Sequence, residues 1–174
     1  MRVAGPVFAV EGRTQLGDPE LSIRRILEML GAIPAHHVAV YAAGDDTCAH
    51  FGELSATALK VRGCAGVVID GGCRDIDLVK EAGLPVFCRY ATPQDAVTRW
   101  HVVDWGHTVE IGGVQAATGD YVVADADGAV IVPGDVRDEV LGLAEALVRT
   151  ETDVRGAVLA GMAPLEAYDR FGKF

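Results

Sequence analysis

The chain has 174 residues, 50% of them hydrophobic and 21 of them glycine, which suits one domain with a real core and many tight turns. Its formal charge of -10 excludes a general nucleic-acid binder, which carries a basic face, and no run reaches the ~18 apolar residues of a membrane span. Glycine, proline and glutamate interrupt the apolar N-terminal run too early for a secretory signal, so a cytoplasmic protein is the expectation.

In chain order, residues 2–12 read as an opening strand. Asp18 and Pro19 then supply an N-cap and a first helical position, and Ile23, Ile26, Leu27 and Leu30 follow at helical spacing as the inward face of a helix that stops at Gly31. The run VAVYAA after Pro34 predicts a buried strand that ends in the polar loop Gly44–Thr47. Phe51 to Gly63 reads as a helix with Leu54, Ala58, Leu59 and Val61 apolar, and free backbone N–H groups of Gly52, Glu53, Leu54 and Ser55 point from its start. A buried strand, Gly66 to Asp70, runs into the Gly71-Gly72 turn. A short helix from Asp75, with Ile76 and Val79 inward, ends at Gly83, and Pro85 to Cys88 is a further strand. This alternation predicts a parallel or mixed sheet flanked by helices, with ligand sites at the carboxyl ends of its strands.

The second half changes rhythm. Residues 102–103, 108–111, 114–117, 121–124 and 129–132 are short strands between Gly- and Asp-containing turns, as in antiparallel hairpins. A helix from Asp135 to Arg149 follows, and the charged segment Glu151 to Arg155 leads into last helical turns. No repeat or linker interrupts the chain, which is expected to form a single domain over 1–174 with a core at 3–150 and a helical tail at 151–174.

Most motif-like features have a plain explanation. Cys48, Cys64, Cys73 and Cys88 contain no C-x-x-C pair, which argues against a zinc or disulfide framework; Cys73 alone stands beside a polar turn. Asp125-Ala126-Asp127-Gly128 is a hairpin turn, since a calcium loop needs a third acid and a closing glutamate. There is no G-x-S-x-G, G-x-G-x-x-G or P-loop, and His36, His37, His50, His101 and His107 have no metal spacing, although His50 lies near Glu53. The pair Arg74-Asp75 reads as an exposed ion pair or helix cap in isolation. Its place directly after a buried strand and two glycines is instead where an α/β sheet puts a ligand.

The segment FGELSATALKVRGCAGVVIDGGCRDIDLVKEAGLPVFCR, continued by IGGVQAATGDYVVADADGAVIVP, resembles the RraA-like family. That family includes class II pyruvate aldolases acting on 4-hydroxy-4-methyl-2-oxoglutarate and 4-carboxy-4-hydroxy-2-oxoadipate, and also RraA regulators of ribonuclease E. Its pattern of an acid, twenty residues and Arg-Asp is matched by Glu53, Arg74 and Asp75. The resemblance implies an α/β/β/α swivelling-type domain assembled as a homotrimer or hexamer. It implies Mg²⁺ or Mn²⁺ held by Asp75 largely through waters, with Glu53 in the outer shell. The backbone amides of Gly52, Glu53, Leu54 and Ser55 would hold the pyruvyl carboxylate. Arg74 and the metal would stabilise a pyruvate enolate, in aldol cleavage and in oxaloacetate decarboxylation alike. A glutamate from a neighbouring subunit, matched by Glu151, would complete the site. The aldolases usually begin with extra helices before the first strand, and this sequence starts almost at that strand. The alternative the family leaves open is a non-catalytic regulator that binds ribonuclease E.

Overall fold

The structure, a computed structural model, describes residues 1–174 and divides into two compact units, Met1–Gly134 and Asp135–Phe174. The first unit is organised on β1 (Val3–Thr14), a strand long enough to serve three neighbours. Val7 to Glu11 pairs in parallel with β2 (Val38–Ala42). Val3 to Pro6 pairs antiparallel with β9 (Tyr121–Ala124), and Val10 to Thr14 with β6 (Trp100–Trp105). β10 (Ala129–Val132) extends the sheet beyond β9.

On the other side, β4 (Gly66–Cys73) runs parallel to β2 and carries β5 (Val86–Ala91) on its far edge. Where β2 stops, the chain loops out and returns as β3 (Ala49–Phe51), which pairs in parallel with the last residues of β4. β2 and β4 are apolar almost throughout, as expected of parallel strands covered on both faces. One face packs Phe8, Val10, Tyr41, Val67 and Ile69 with Met29, Leu59 and Val79 of the helices α1 (Pro19–Ala32), α2 (Glu53–Val61) and α3 (Ile76–Ala82). The other packs Val7, Ala9, Val40 and Val68 with Val109 and Ala116 of the hairpin β7 (Thr108–Ile111) and β8 (Val114–Ala117). The mixed α/β architecture and the antiparallel second half are as expected from the sequence.

Several local expectations are corrected. The expected Gly71-Gly72 turn is strand, since β4 continues through both glycines to Cys73. α1 starts where Asp18 Oδ1 accepts the Leu21 N–H at 2.9 Å, but its buried residues are Ser22, Met29 and Leu30, while Ile23 and Leu27 are exposed. Polar anchors turn the helix: the Ser22 hydroxyl donates to the Trp100 carbonyl, and Arg25 donates to the Val103 carbonyl and lies 4.2 Å over the Trp105 ring. In α2, Ala56 and Leu59 face the core, and Leu54 and Val61 face out. The helix begins at Glu53 because Ala49 to Phe51 is strand.

In the second unit, α4 (Arg137–Leu159) runs through Arg149 to Leu159 and is followed by α5 (Pro164–Phe171). Thr150 and Thr152 do not break it, because their hydroxyls donate to the carbonyls of Ala146 and Val148 one turn back.

Trp100 is the largest fully buried side chain, and its Nε1–H donates to the Ala43 carbonyl at 2.7 Å. Gly12 makes room for it: a methyl group there would overlap the indole. Trp100→Ala is expected to lower the unfolding free energy by about 3–5 kcal/mol in urea titration, the range for deleting a buried aromatic; a loss under about 1 kcal/mol would contradict this packing.

Candidate functional site

Three parallel strands end at one level. In the register of the sheet, Cys73 of β4 stands beside Phe51 of β3 on one edge and Ala91 of β5 on the other. Two backbone hydrogen bonds close the rim, Arg74 N–H to the Phe51 carbonyl at 2.9 Å and Thr92 N–H to the Cys73 carbonyl at 3.0 Å. The next residues of each strand are therefore neighbours: Gly52 and Glu53, Arg74 and Asp75, and Thr92 onward to Asp95.

Asp75 occupies the N-cap position of α3 with a φ of 56°, a left-handed conformation that Asp tolerates better than most residues. It makes no side-chain cap to its own helix. Its Oδ2 instead accepts the Glu53 N–H at 3.3 Å and lies 3.5 Å from Arg74 Nε. The simple capping explanation of this residue fails for that reason. Arg74 Nη1 lies 2.9 Å from Asp95 Oδ2, and Asp95 Oδ1 accepts the Val97 N–H at 2.7 Å. Arg74 is thus held between two carboxylates, with 40% of its side chain still open to solvent. At that exposure each pair contributes little to stability and serves mainly to aim the guanidinium.

Gly52 precedes α2 without any side-chain cap. A methyl group at Gly52 would stand 2.9 Å from Asp75 Oδ2 and 3.0 Å from Arg74 Cγ, so a side chain there would press on the Arg74-Asp75 pair that glycine leaves in place. Of the amides expected to face a ligand, that of Glu53 is taken by Asp75, which leaves the first-turn N–H groups of Leu54 and Ser55 uncapped. Glu53 Oε1 accepts the Thr57 hydroxyl at 2.9 Å. A concavity of about 350 Å³ lined by Cys73, Arg74, Asp75, Ile76 and Ala91–Pro93 opens beside the pair. A cavity of about 580 Å³ between Val68, Phe87, Ile111 and Ile131 is larger and mostly apolar; of its charged residues, Asp70 and Arg89 pair with each other at 3.3 Å, and Asp125 and Asp127 add carboxylates from the hairpin turn but no further cation. Glu151 lies in the second unit, where its carboxylate is 2.7 Å from Lys173 Nζ.

Beneath the rim is a buried polar group. Asp45, Cys48 and His50 place ligand-type atoms within 4.8 Å of one another. Their separations, 3.4 Å from His50 Nε2 to Asp45 Oδ1, 3.7 Å from Cys48 Sγ to Nε2 and 3.5 Å from Sγ to Oδ1, would match one face of a tetrahedral metal site. The protons oppose it as it stands. Gly72 N–H donates to His50 Nδ1 at 3.1 Å, so the ring proton sits on Nε2, facing Asp45 rather than offering a lone pair. Burial and the nearby Asp45 charge push the Cys48 thiol up to about 12. Burial also lowers the His50 pKa, against the opposing pull of Asp45. Asp45 is itself desolvated, yet hydrogen bonds from Thr14, Thr47 and Cys48 outweigh this and hold its pKa below the carboxylate range. A catalytic thiol at Cys73 finds no support either, since a hydrogen bond to Cys88 and burial push its pKa up.

His50, near Glu53 in sequence, is therefore below the rim rather than on it. Asp95 escaped sequence reasoning altogether, because a lone acid in an irregular segment carries no periodic or spacing signal.

The sheet gathers an arginine, carboxylates and uncapped amides at three strand ends, the position where an α/β sheet places a ligand site. Residues 1–131 match the RraA-like family, described as Aldolase/RraA, and the chain belongs to that family. A Halalkalibacterium halodurans protein named "Putative 4-hydroxy-4-methyl-2-oxoglutarate aldolase" is 29% identical over 167 residues, 96% of this chain and 77% of that one. Among solved structures, an uncharacterized protein from Pseudomonas syringae pv. tomato superposes with a TM-score of 0.85 at 27% identity, covering 96% of this chain and 78% of that one. Streptomyces coelicolor RraAS2, described as an unusual member of the RNase ES inhibitor RraA protein family, gives 0.77 at 29% identity, covering 89% and 77%. No helix is long and apolar enough to cross a membrane.

The depressed His50 pKa has a signed consequence. The unfolded chain takes up a proton at His50 near 6.5 that the folded chain resists, so stability is full above that pH and falls as pH drops below it. The Asp45 shift has the same sign and adds to the loss below its ordinary 3.8. The urea midpoint is expected to decline between about pH 6.5 and 5 in the wild type and to stay flat there in His50→Asn; equal declines would assign the loss elsewhere.

Proposed function

We propose that the chain is a divalent-metal-dependent carbon–carbon lyase. It cleaves 4-hydroxy-4-methyl-2-oxoglutarate-type 2-oxo acids to pyruvate and decarboxylates oxaloacetate. The observation that carries this reading is the meeting of Arg74, Asp75, Glu53 and the uncapped start of α2 at one rim. The aldolase names of the relatives agree with it.

The donor set suits a hard cation. Asp75 and Glu53 offer carboxylate oxygens, and the Asp75 side chain is 39% exposed, which fits Mg²⁺ or Mn²⁺ that keeps most of its water. Asp75 would hold the ion and Glu53 would orient its waters. When bound, the ion supplies Lewis-acid polarisation of the substrate's oxygens.

The remaining chemistry belongs to the chain. The Leu54 and Ser55 amides at the positive end of α2, with Gly52 giving close access, take the substrate carboxylate. Arg74, aimed by Asp75 and Asp95, donates to the C2 keto oxygen. When the C3–C4 bond breaks, its electron pair stays on C3 and delocalises onto that oxygen, where the guanidinium stabilises the negative charge. In the aldol substrate the C4 hydroxyl loses its proton and becomes the carbonyl of the second product; in oxaloacetate the departing fragment is CO₂. Protonation at C3 then gives pyruvate. We assign the assembly as a homotrimer or hexamer, in which Glu151 serves a neighbouring copy's site once its pair with Lys173 opens.

The likeness to RraAS2 favours a second reading, a regulator that binds ribonuclease E without catalysis. Pyruvate release from both substrates, with Mg²⁺ and with EDTA, separates the two. Turnover is expected with Mg²⁺ and lost with EDTA, and Arg74→Ala is expected to lower kcat by about 10²–10³-fold, as for removal of an oxyanion donor. No metal-dependent turnover of either substrate, or full activity in Arg74→Ala, would sink the lyase reading.

A further inference from the structure

We infer that His50 is a positioning residue for Arg74, acting through the hydrogen bond that its Nδ1 accepts from the Gly72 N–H, with Asp45 fixing the tautomer that makes Nδ1 an acceptor. The inference rests on the lyase reading, in which Arg74 meets the substrate.

A histidine and an aspartate whose side chains are both fully enclosed are expensive to desolvate, and an apolar pair of similar volume would fill the same space more cheaply. The network is nevertheless complete. Asp45 accepts from the Thr14 hydroxyl at 2.5 Å and from the N–H groups of Thr47 and Cys48 at 2.7 and 3.1 Å, so its Oδ1 is rigidly presented to His50 Nε2 at 3.4 Å. The edge of the Trp100 ring system holds the imidazole at a centroid distance of 5.0 Å. Gly71 lets the ring approach β4, since a methyl group there would fall 2.5 Å from Nδ1. A buried and fully partnered polar chain specifies one geometry where apolar packing would allow several.

What it specifies lies two residues from Arg74. The pairing of β4 with β5 shifts register between Ile69 and Gly72, and β3 joins β4 at Gly72. The strand is therefore irregular just before it delivers its catalytic pair, and regular ladder bonds do not define the segment alone. The 3.1 Å bond from Gly72 N–H to His50 Nδ1 pins it there. Arg74 N–H is then delivered to Phe51 O, and Asp75 to Glu53 N–H.

Two substitutions separate the two halves of the ring. His50→Asn places an amide oxygen where Nδ1 stands and keeps the acceptor for Gly72. His50→Gln reaches toward Asp45 but leaves the Gly72 N–H unpaired, as does His50→Leu. With oxaloacetate and Mg²⁺, His50→Asn is expected to keep kcat within about threefold of wild type. His50→Gln and His50→Leu are expected to lose about 10–10²-fold in kcat with KM moved less than about threefold, the pattern of a misplaced catalytic group. Hydrogen exchange at Gly72–Arg74 is expected to match wild type in His50→Asn and to quicken in His50→Gln. Equal kcat in wild type and His50→Gln, or an equal fall in His50→Asn and His50→Gln, would overturn the inference, and this comparison stands even if His50→Leu does not fold. If the wild type turns over neither substrate, the lyase reading fails by itself. The exchange measurement then decides alone: selective loss of protection in His50→Gln upholds the His50–Gly72 link, and uniform protection overturns it.

Discussion

Two backbone hydrogen bonds, Arg74 N–H to Phe51 O and Thr92 N–H to Cys73 O, hold the ends of β3, β4 and β5 at one level. Everything polar at the rim depends on that alignment. Within the sheet successive side chains alternate between two covered faces, whereas residues just past the strand ends are free to turn toward one another at the rim. Aligned ends place Glu53, Asp75 and Arg74 within hydrogen-bonding or ion-pairing reach, and put Asp95 on the far side of the guanidinium. One cation among several carboxylates with uncapped amides nearby then suits an anionic ligand and a hydrated divalent ion together.

Close approach is the second constraint. Gly52 leaves the Asp75 and Arg74 side chains room that a Cβ would crowd, and Gly71 admits the His50 ring. Asp75 accepts a positive φ so that its carboxylate turns across to α2 instead of capping α3. The rim is therefore built from backbone permissiveness as much as from charge. Beneath it, the buried Asp45–His50 pair takes the place that apolar packing would fill elsewhere in the sheet.

Much of this was legible in the sequence. The run Gly66 to Asp70 is apolar, and an Arg-Asp pair follows soon after, which in an alternating α/β chain marks a buried strand leading to a ligand position; the two glycines between them read as a turn but are strand, because β4 runs on to Cys73. The hairpin rhythm of the second half was equally plain, because each short strand is bounded by glycine or aspartate. Other features had no signal to read. Ala49 to Phe51 is too short for alternation to show, so it merged with the helix after it. The buried face of α1 is set by Ser22 and Arg25 bonding to backbone carbonyls of β6, which hydrophobic spacing cannot anticipate. α4 passes through Thr150 and Thr152 because their hydroxyls bond back along the helix, a device that composition alone reads as a break. Asp95 reaches Arg74 from an irregular segment, and only the folded β5 brings it there.

The central claim is that the three strand ends form one site for a 2-oxo acid carboxylate, its developing enolate charge and a divalent ion. Oxalate carries the charge and planarity of a pyruvate enolate, so its binding tests the claim without turnover. Isothermal titration of oxalate is the direct measurement. The account predicts binding that requires Mg²⁺ and disappears in Asp75→Asn and in Arg74→Ala. Oxalate binding that ignores Mg²⁺, or that survives both substitutions, would contradict it.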